Sequence, residues 1–137
     1  MLLNLYYSAL ARRFCAVYTI WGGSMCNRNE LNIILSKVAL KSKEVFGEKL
    51  DSVILYGSYA CGDYDSESDI DVMIIADINT DEIYYYKKLL SDFKVDCNIE
   101  FNVVLSLKIQ DKKTFEKWKN SLPFFENVVK EGINYAA

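Results

Sequence analysis

Two aspartates one residue apart, Asp69 and Asp71, stand at the head of an apolar run, Asp69-Ile70-Asp71-Val72-Met73-Ile74-Ile75. On a strand, residues two apart project to the same side, so both carboxylates face one way, with Cα atoms about 6–7 Å apart, while Ile70 and Val72 turn into the core. Like charges this close raise each other's pKa and are costly to keep ionised unless a cation neutralises them. Magnesium suits such a pair, because it takes hard oxygen ligands, accepts one or two carboxylates and fills its other positions with water and phosphate oxygens. Upstream, the apolar run Ser52-Val53-Ile54-Leu55-Tyr56 ends on Gly57-Ser58. A residue without a side chain lets the backbone approach a phosphate, and the serine after it offers an N–H and a hydroxyl. Alone, Gly-Ser says almost nothing and most Asp-x-Asp pairs lie in surface turns. Together, in the order strand, Gly-Ser, ten-residue loop, Asp-x-Asp and strand, they describe a phosphate cradle beside a metal pair.

These residues need elements to hold them. Asn27 or Asn29 can cap a helix in which Leu31, Ile34, Leu35, Val38, Ala39, Val45 and Phe46 recur at steps of three and four, with Gly47 at its end. Residues 52–56 read as a buried strand, residues 59–68 as a polar loop and residues 69–75 as a second strand. Asn79, Thr80 or Asp81 can cap a second helix whose Ile83, Tyr86, Leu89, Leu90 and Phe93 share a face. Residues 102–109 read as a third strand. Asp111 can cap a helix carrying Phe115 and Trp118, and a last short helix follows Pro123 and ends near Gly132. The order α-β-β-α-β-α-α predicts an α/β (α+β) fold, a small mixed β-sheet with flanking helices.

Composition narrows the chemistry. A chain of 137 residues is the size of one domain, and 51% apolar residues with a single proline are typical of a folded globular protein. A net charge of −3 argues against nucleic acid as the main partner. The absence of histidine removes Ser/His/Asp triads, imidazole bases and His-containing zinc sites. Cys15, Cys26, Cys61 and Cys97 form no C-x-x-C pair and read as reduced thiols of a cytoplasmic protein. The apolar stretch from Leu2 to Ile20 is split by Arg12 and Arg13, which suits neither a signal peptide nor a membrane span. Gly22-Gly23-Ser24 is expected to separate an extension, residues 1–24, from a domain over residues 25–137, with Met25 as an alternative start. The other reading is an added N-terminal helix packed on the domain. A calcium loop starting at Asp63 would have Ser68 where glycine belongs and Ile74 where the bidentate acid belongs, so Asp63, Asp65 and Glu67 read as solvated acids. Lys108, Lys112, Lys113, Lys117 and Lys119 read as a solvated face, and Tyr84-Tyr85-Tyr86, Phe115 and Trp118 as packing residues.

The stretch Gly57-Ser58, ten residues, then Asp69-Ile70-Asp71 resembles the G-S-x10-D-x-D signature of the minimal nucleotidyltransferases of the DNA polymerase β superfamily. Leu55-Tyr56, Tyr59-Ala60 and Gly62 are also similar, and the element order agrees over residues 28–137. The resemblance implies a polymerase β-like fold in which Gly57 and Ser58 hold a nucleoside triphosphate, ATP favoured, and Asp69 and Asp71 bind Mg²⁺. An acceptor hydroxyl would attack the α-phosphorus and pyrophosphate would leave. Small single-domain members of that family are commonly paired with a HEPN protein as toxin and antitoxin, and some antitoxins adenylylate a tyrosine of the toxin. A HEPN-family protein encoded nearby is thus the expected partner and a protein hydroxyl the expected acceptor. This chain cannot be the HEPN half, which relies on an Arg and a His.

The family also places a third carboxylate on a later strand. Residues 102–109 contain no Asp or Glu; Asp96 and Glu100 precede them and Asp111 follows. Glu100 is the substitute if the strand begins early, and otherwise Ser106 takes the position. Two Mg²⁺ ions are expected where the third carboxylate is supplied and one where it is not. In the second case the chain would be a nucleotide-binding module that acts on its partner by contact. Antibiotic nucleotidyl transfer is disfavoured, since that activity usually brings a second domain for the drug pocket.

Overall fold

The computed structural model describes residues 27–62, 64–65 and 68–136. The extension over residues 1–24, Met25, Cys15, Cys26 and the loop acids Asp63 and Glu67 lie outside the described residues. Helix α1 (Arg28–Phe46) opens on a reciprocal cap: the Glu30 N–H donates to Asn27 Oδ1 at 2.9 Å and the Asn27 N–H donates to Glu30 Oε2 at 3.2 Å. That pair satisfies two amides the helix itself cannot. Leu31, Ile34, Leu35 and Val38 form its buried stripe, and the helix stops at Gly47, whose φ of 56° favours glycine. There follow β1 (Leu50–Tyr56), a one-turn helix α2 (Ser58–Cys61), β2 (Ile70–Ala76), α3 (Ile83–Leu89), α4 (Ser91–Phe101), β3 (Leu105–Asp111), α5 (Lys112–Trp118), α6 (Pro123–Glu131) and β4 (Ile133–Ala136).

The four strands make one mixed sheet in the order β3-β2-β1-β4. β1 runs antiparallel to β2 and β4, and β2 runs parallel to β3. β2 is buried at six of its seven positions, because it has strands on both sides and cover on both faces. Val53, Leu55, Ile70, Val72, Ile74 and Leu105 turn to the side packed by α1, α3 and α4, where Leu35, Tyr86 and Cys97 join them. Met73 and Ile75 turn to the other side, under Phe115 of α5 and Phe125 and Val128 of α6. Each fully buried aliphatic side chain here contributes roughly 1.5–3 kcal/mol of transfer free energy.

Three local expectations are corrected. The single helix expected after residue 79 is two, broken at Leu90, so Leu89 ends α3 with 45% of its surface exposed while Leu90 takes the buried position. The half of the loop nearest Gly57 is not polar packing: α2 forms there, and Tyr59 and Tyr64 are buried and stacked, ring centroids 4.1 Å apart. Finally, β3 begins at Leu105, because Asn102 adopts a left-handed conformation (φ 50°, ψ 50°) that ends α4. Asn98 holds this turn, its carbonyl accepting from the Val103 N–H at 3.2 Å and its Oδ1 from the Leu105 N–H at 2.8 Å. Asn98→Ala leaves the amide of fully buried Leu105 without that acceptor, and urea denaturation is expected to show a loss of about 1–3 kcal/mol. A loss under about 0.5 kcal/mol would mean that water replaces the side chain without cost.

Candidate active site

β2 carries Asp71 on the side of the sheet occupied further along by Met73 and Ile75. The register places Asp71 opposite Tyr56 of β1 and Ser106 of β3, so three polar side chains form one row across the sheet. Asp69 lies in the lead-in to the strand and is exposed, whereas Asp71 is half-buried. The lead-in is tied at both ends: the Ile70 N–H donates to the Val104 carbonyl at 2.8 Å, and the Ser68 hydroxyl accepts from the Asp65 N–H at 2.9 Å.

Gly57 closes β1 with φ 73° and ψ −156° and abuts the aspartate directly. A Cβ built on it would lie 3.3 Å from Asp71 Cγ and closer still to Oδ2. The glycine is therefore required twice, by its backbone conformation and by the carboxylate against it. Ser58 starts α2, whose Ala60 and Cys61 amides return to the Gly57 carbonyl at 3.1 and 3.2 Å. Gly57, Ser58, Asp69 and Asp71 are thus gathered at one end of β1 and β2.

Burial first, and the charge of Asp69 second, hold the Asp71 carboxyl above its ordinary value; burial first, and the charge of Asp71 second, raise the Tyr56 phenol. An ionised Asp71 is therefore a cost to the fold that a bound cation would relieve, which fits the donor set to one divalent ion with oxygen preference. The sign follows from linkage. With the folded pKa raised, the cost is absent at low pH, where both states are protonated, and grows as pH rises through the ordinary value of 3.8 and past the raised one. In EDTA, Asp71→Asn is expected to raise Tm at about pH 7, with the gain closing toward about pH 3. A gain that does not change with pH would assign it to packing instead.

The third acid is not found. Glu100 was expected to serve if the strand began early, but it lies on α4, where both its carboxylate oxygens accept from Lys37 Nζ at 2.8–2.9 Å in an exposed pair. Asp96 is on the same helix. Asp111 is buried and caps α5, accepting from the Thr114 N–H at 2.9 Å and from Gln110 Nε2 at 2.9 Å. Among the described residues no three of Asp, Glu, Cys or His are placed to share a metal ion. Ser106 holds the place beside Asp71.

Tyr56, Phe124 and Lys108 are neighbours of the site that no motif marks. Tyr56 packs edge-on against Phe124, with centroids 5.6 Å apart, and Lys108 Nζ lies 4.3 Å from the centre of the same ring. Tyr56 was legible as the last strand residue before Gly57; the other two depend on how α6 crosses the sheet. Lys112 pairs with Asp51 at 2.9 Å, Lys119 with Glu116 at 2.5 Å, and Lys117 rests on Trp118. Tyr86 packs against Phe46 as expected, while Tyr84 and Tyr85 are exposed.

Comparison with known proteins places this arrangement. Residues 37–133 match the family model described as polymerase beta, nucleotidyltransferase. A Methanocaldococcus jannaschii protein, MJ0604, is 35% identical over 94 residues, 69% of this chain and 84% of its own length. The chain belongs to the polymerase β nucleotidyltransferase family. That relative is provisionally named a protein adenylyltransferase. So are two others of the same organism: MJ0141, 64% identical over 31 residues, and MJ1305, 48% identical over 46. Those two matches span 23% and 34% of this chain and 31% of each relative. Crystal structures of a toxin–antitoxin MntA–HpeT mutant and of a toxin–antitoxin with AMP-PNP superpose with TM-scores of 0.43 each, at 19% and 20% identity. Each covers 75% of this chain and 73% of its own; likeness so loose does not inform the site. As a nucleotidyltransferase the chain is an enzyme of known reaction class. Among its described residues no helix is long and apolar enough to cross a membrane.

Proposed function

We propose that the chain transfers AMP from ATP to a hydroxyl of a partner protein, with residues 25–137 as the transferase domain and the cytoplasm as its location. The observation that carries this reading is the close approach of Gly57 to the half-buried Asp71 carboxylate, which leaves backbone where a phosphate must come near and a carboxylate where its cation must sit. The names of the relatives supply the protein acceptor. A HEPN-type toxin encoded nearby, the usual companion of small members of the family the sequence resembles, is the partner we assign.

Asp69 and Asp71 would hold Mg²⁺, which supplies charge stabilisation to the phosphates. Gly57 gives room for the triphosphate and Ser58 offers it a hydroxyl and an N–H. The acceptor oxygen forms a bond to the α-phosphorus as the bond to the bridging oxygen breaks; pyrophosphate departs with the electron pair and the acceptor proton passes to solvent. Ser106, neutral where the family has an acid, favours a second reading, a nucleotide-binding antitoxin that acts by contact. Incubating the full chain with Mg²⁺, α-labelled ATP and the product of the neighbouring gene separates the two. Label on the partner is expected; nucleotide binding without transfer would select the contact reading.

A further inference from the structure

We propose that Lys108 supplies, as a fixed ammonium, the positive charge that a second metal ion would otherwise bring to the reacting phosphate, so that the site works with a single divalent cation. The inference rests on the nucleotidyltransferase reading of Asp69 and Asp71 and adds to it a residue that no motif marks.

Charge balance comes first. Two carboxylates match one divalent ion, and Ser106, beside Asp71, adds no negative charge that would hold another. The next residue of β3 on that side is Lys108, opposite Met73, and strand geometry puts its Cα about 8 Å from that of Asp71. Lys108 is exposed, and its ammonium lies over one aromatic ring. It sits 4.3 Å from the centre of the Phe124 ring, and that ring packs edge-on against Tyr56, the residue opposite Asp71. Tyr56, Asp71, Ser106 and Lys108 thus lie on one face of the sheet, with Phe124 in contact with the first and the last of them. Lys108 enters none of the ion pairs formed among the described residues, in contrast to Lys37, Lys41, Lys49, Lys112 and Lys119. A lysine on the same face of the sheet as Asp71, two residues further along, and in none of those ion pairs is placed for an anion that arrives later. In the transfer step Lys108 donates a hydrogen bond to a non-bridging oxygen of the α-phosphoryl group and keeps its proton throughout; the bonds made and broken are those given above.

The test counts ions. Mn²⁺ bound per chain is measured by electron paramagnetic resonance with the full protein and the α,β-methylene analogue of ATP. Unaltered protein is expected to bind one ion with the nucleotide. Ser106→Asp is expected to admit a second, and Ser106→Asp with Lys108→Gln to bind that second ion about tenfold more tightly, because the ammonium no longer repels it. Lys108→Gln alone is expected to keep one ion and lose about tenfold in nucleotide affinity, largely restored by Lys108→Arg. Two ions in the unaltered protein overturn the proposal, as does a second-ion affinity in Ser106→Asp that is indifferent to Lys108, which would leave Lys108 as packing on Phe124. No joint binding of Mn²⁺ and nucleotide overturns the transferase reading itself, and this inference with it.

Discussion

Exchange of Asp69 and Asp71 together for asparagine is expected to lower AMP transfer on the order of a thousandfold or more, measured as kcat/KM with labelled ATP. Asparagine keeps the shape of each side chain and removes its charge, so the fold has no reason to fail; the raised pKa of Asp71 argues that the metal-free variant is at least as stable near neutrality. What is lost is the cation and with it several kcal/mol of charge stabilisation at the phosphates, each 1.4 kcal/mol being about tenfold in rate. The single exchanges are not expected to add, because one ion depends on both carboxylates. Asp71→Asn is expected to be the more damaging, since its strand fixes it opposite Tyr56 and Ser106, whereas Asp69 sits in the exposed lead-in. Activity within tenfold of the parent would remove these aspartates from the chemistry.

Gly57→Ala is expected to cost about 2 kcal/mol or more in stability and to abolish detectable binding of the metal–nucleotide complex. Two effects combine. The backbone at φ 73° and ψ −156° belongs to a region that only glycine occupies without strain, and the added methyl would press on the Asp71 carboxylate. A double-mutant cycle distinguishes them: Asp71→Ala in the Gly57→Ala background relieves the contact and leaves the strain. Urea denaturation of the four proteins reads the coupling. A fully stable Gly57→Ala that still binds Mg·ATP would mean that β1 can end in an ordinary conformation, and the close approach would lose its meaning.

How far such a site can be read from sequence depends on which residues answer to local rules. The strand from Ile70 on is legible because period-two alternation fixes where each side chain goes, although Asp69, read as its first residue, lies in the lead-in; of the two caps the sequence offers, Asn27 and Asn29, the structure uses Asn27, whose partner Glu30 lies three residues on. Glu100 was misplaced for a local reason of another kind. Its neighbours Ile99 and Phe101 are as suited to a strand as to a helix, and the choice was made by Asn102, whose left-handed turn and the Asn98 hydrogen bonds start β3 later. The short strand β4 carries only Ile-Asn-Tyr-Ala, and its pairing with β1 is a long-range event that no window detects. Lys108 and Phe124 meet only because α6 packs back on the sheet face that carries Met73, Ile75 and Tyr56. The two aspartates were therefore visible as a motif, whereas their surroundings became visible only as a fold.

β1 and β2 are the two interior strands of the sheet, and this places the ligand-bearing strand among the last parts of the molecule to open. Amide protons of interior strands exchange with solvent mainly through global unfolding. A ligand that binds only the folded state slows that exchange, adding RT ln(1 + [L]/Kd) to the opening free energy, about 2.7 kcal/mol at a hundredfold excess over Kd. The amides of Val72, Met73 and Ile74, which touch no nucleotide, should then act as slow clocks of occupancy at Asp71, timing nucleotide capture even where nothing is transferred.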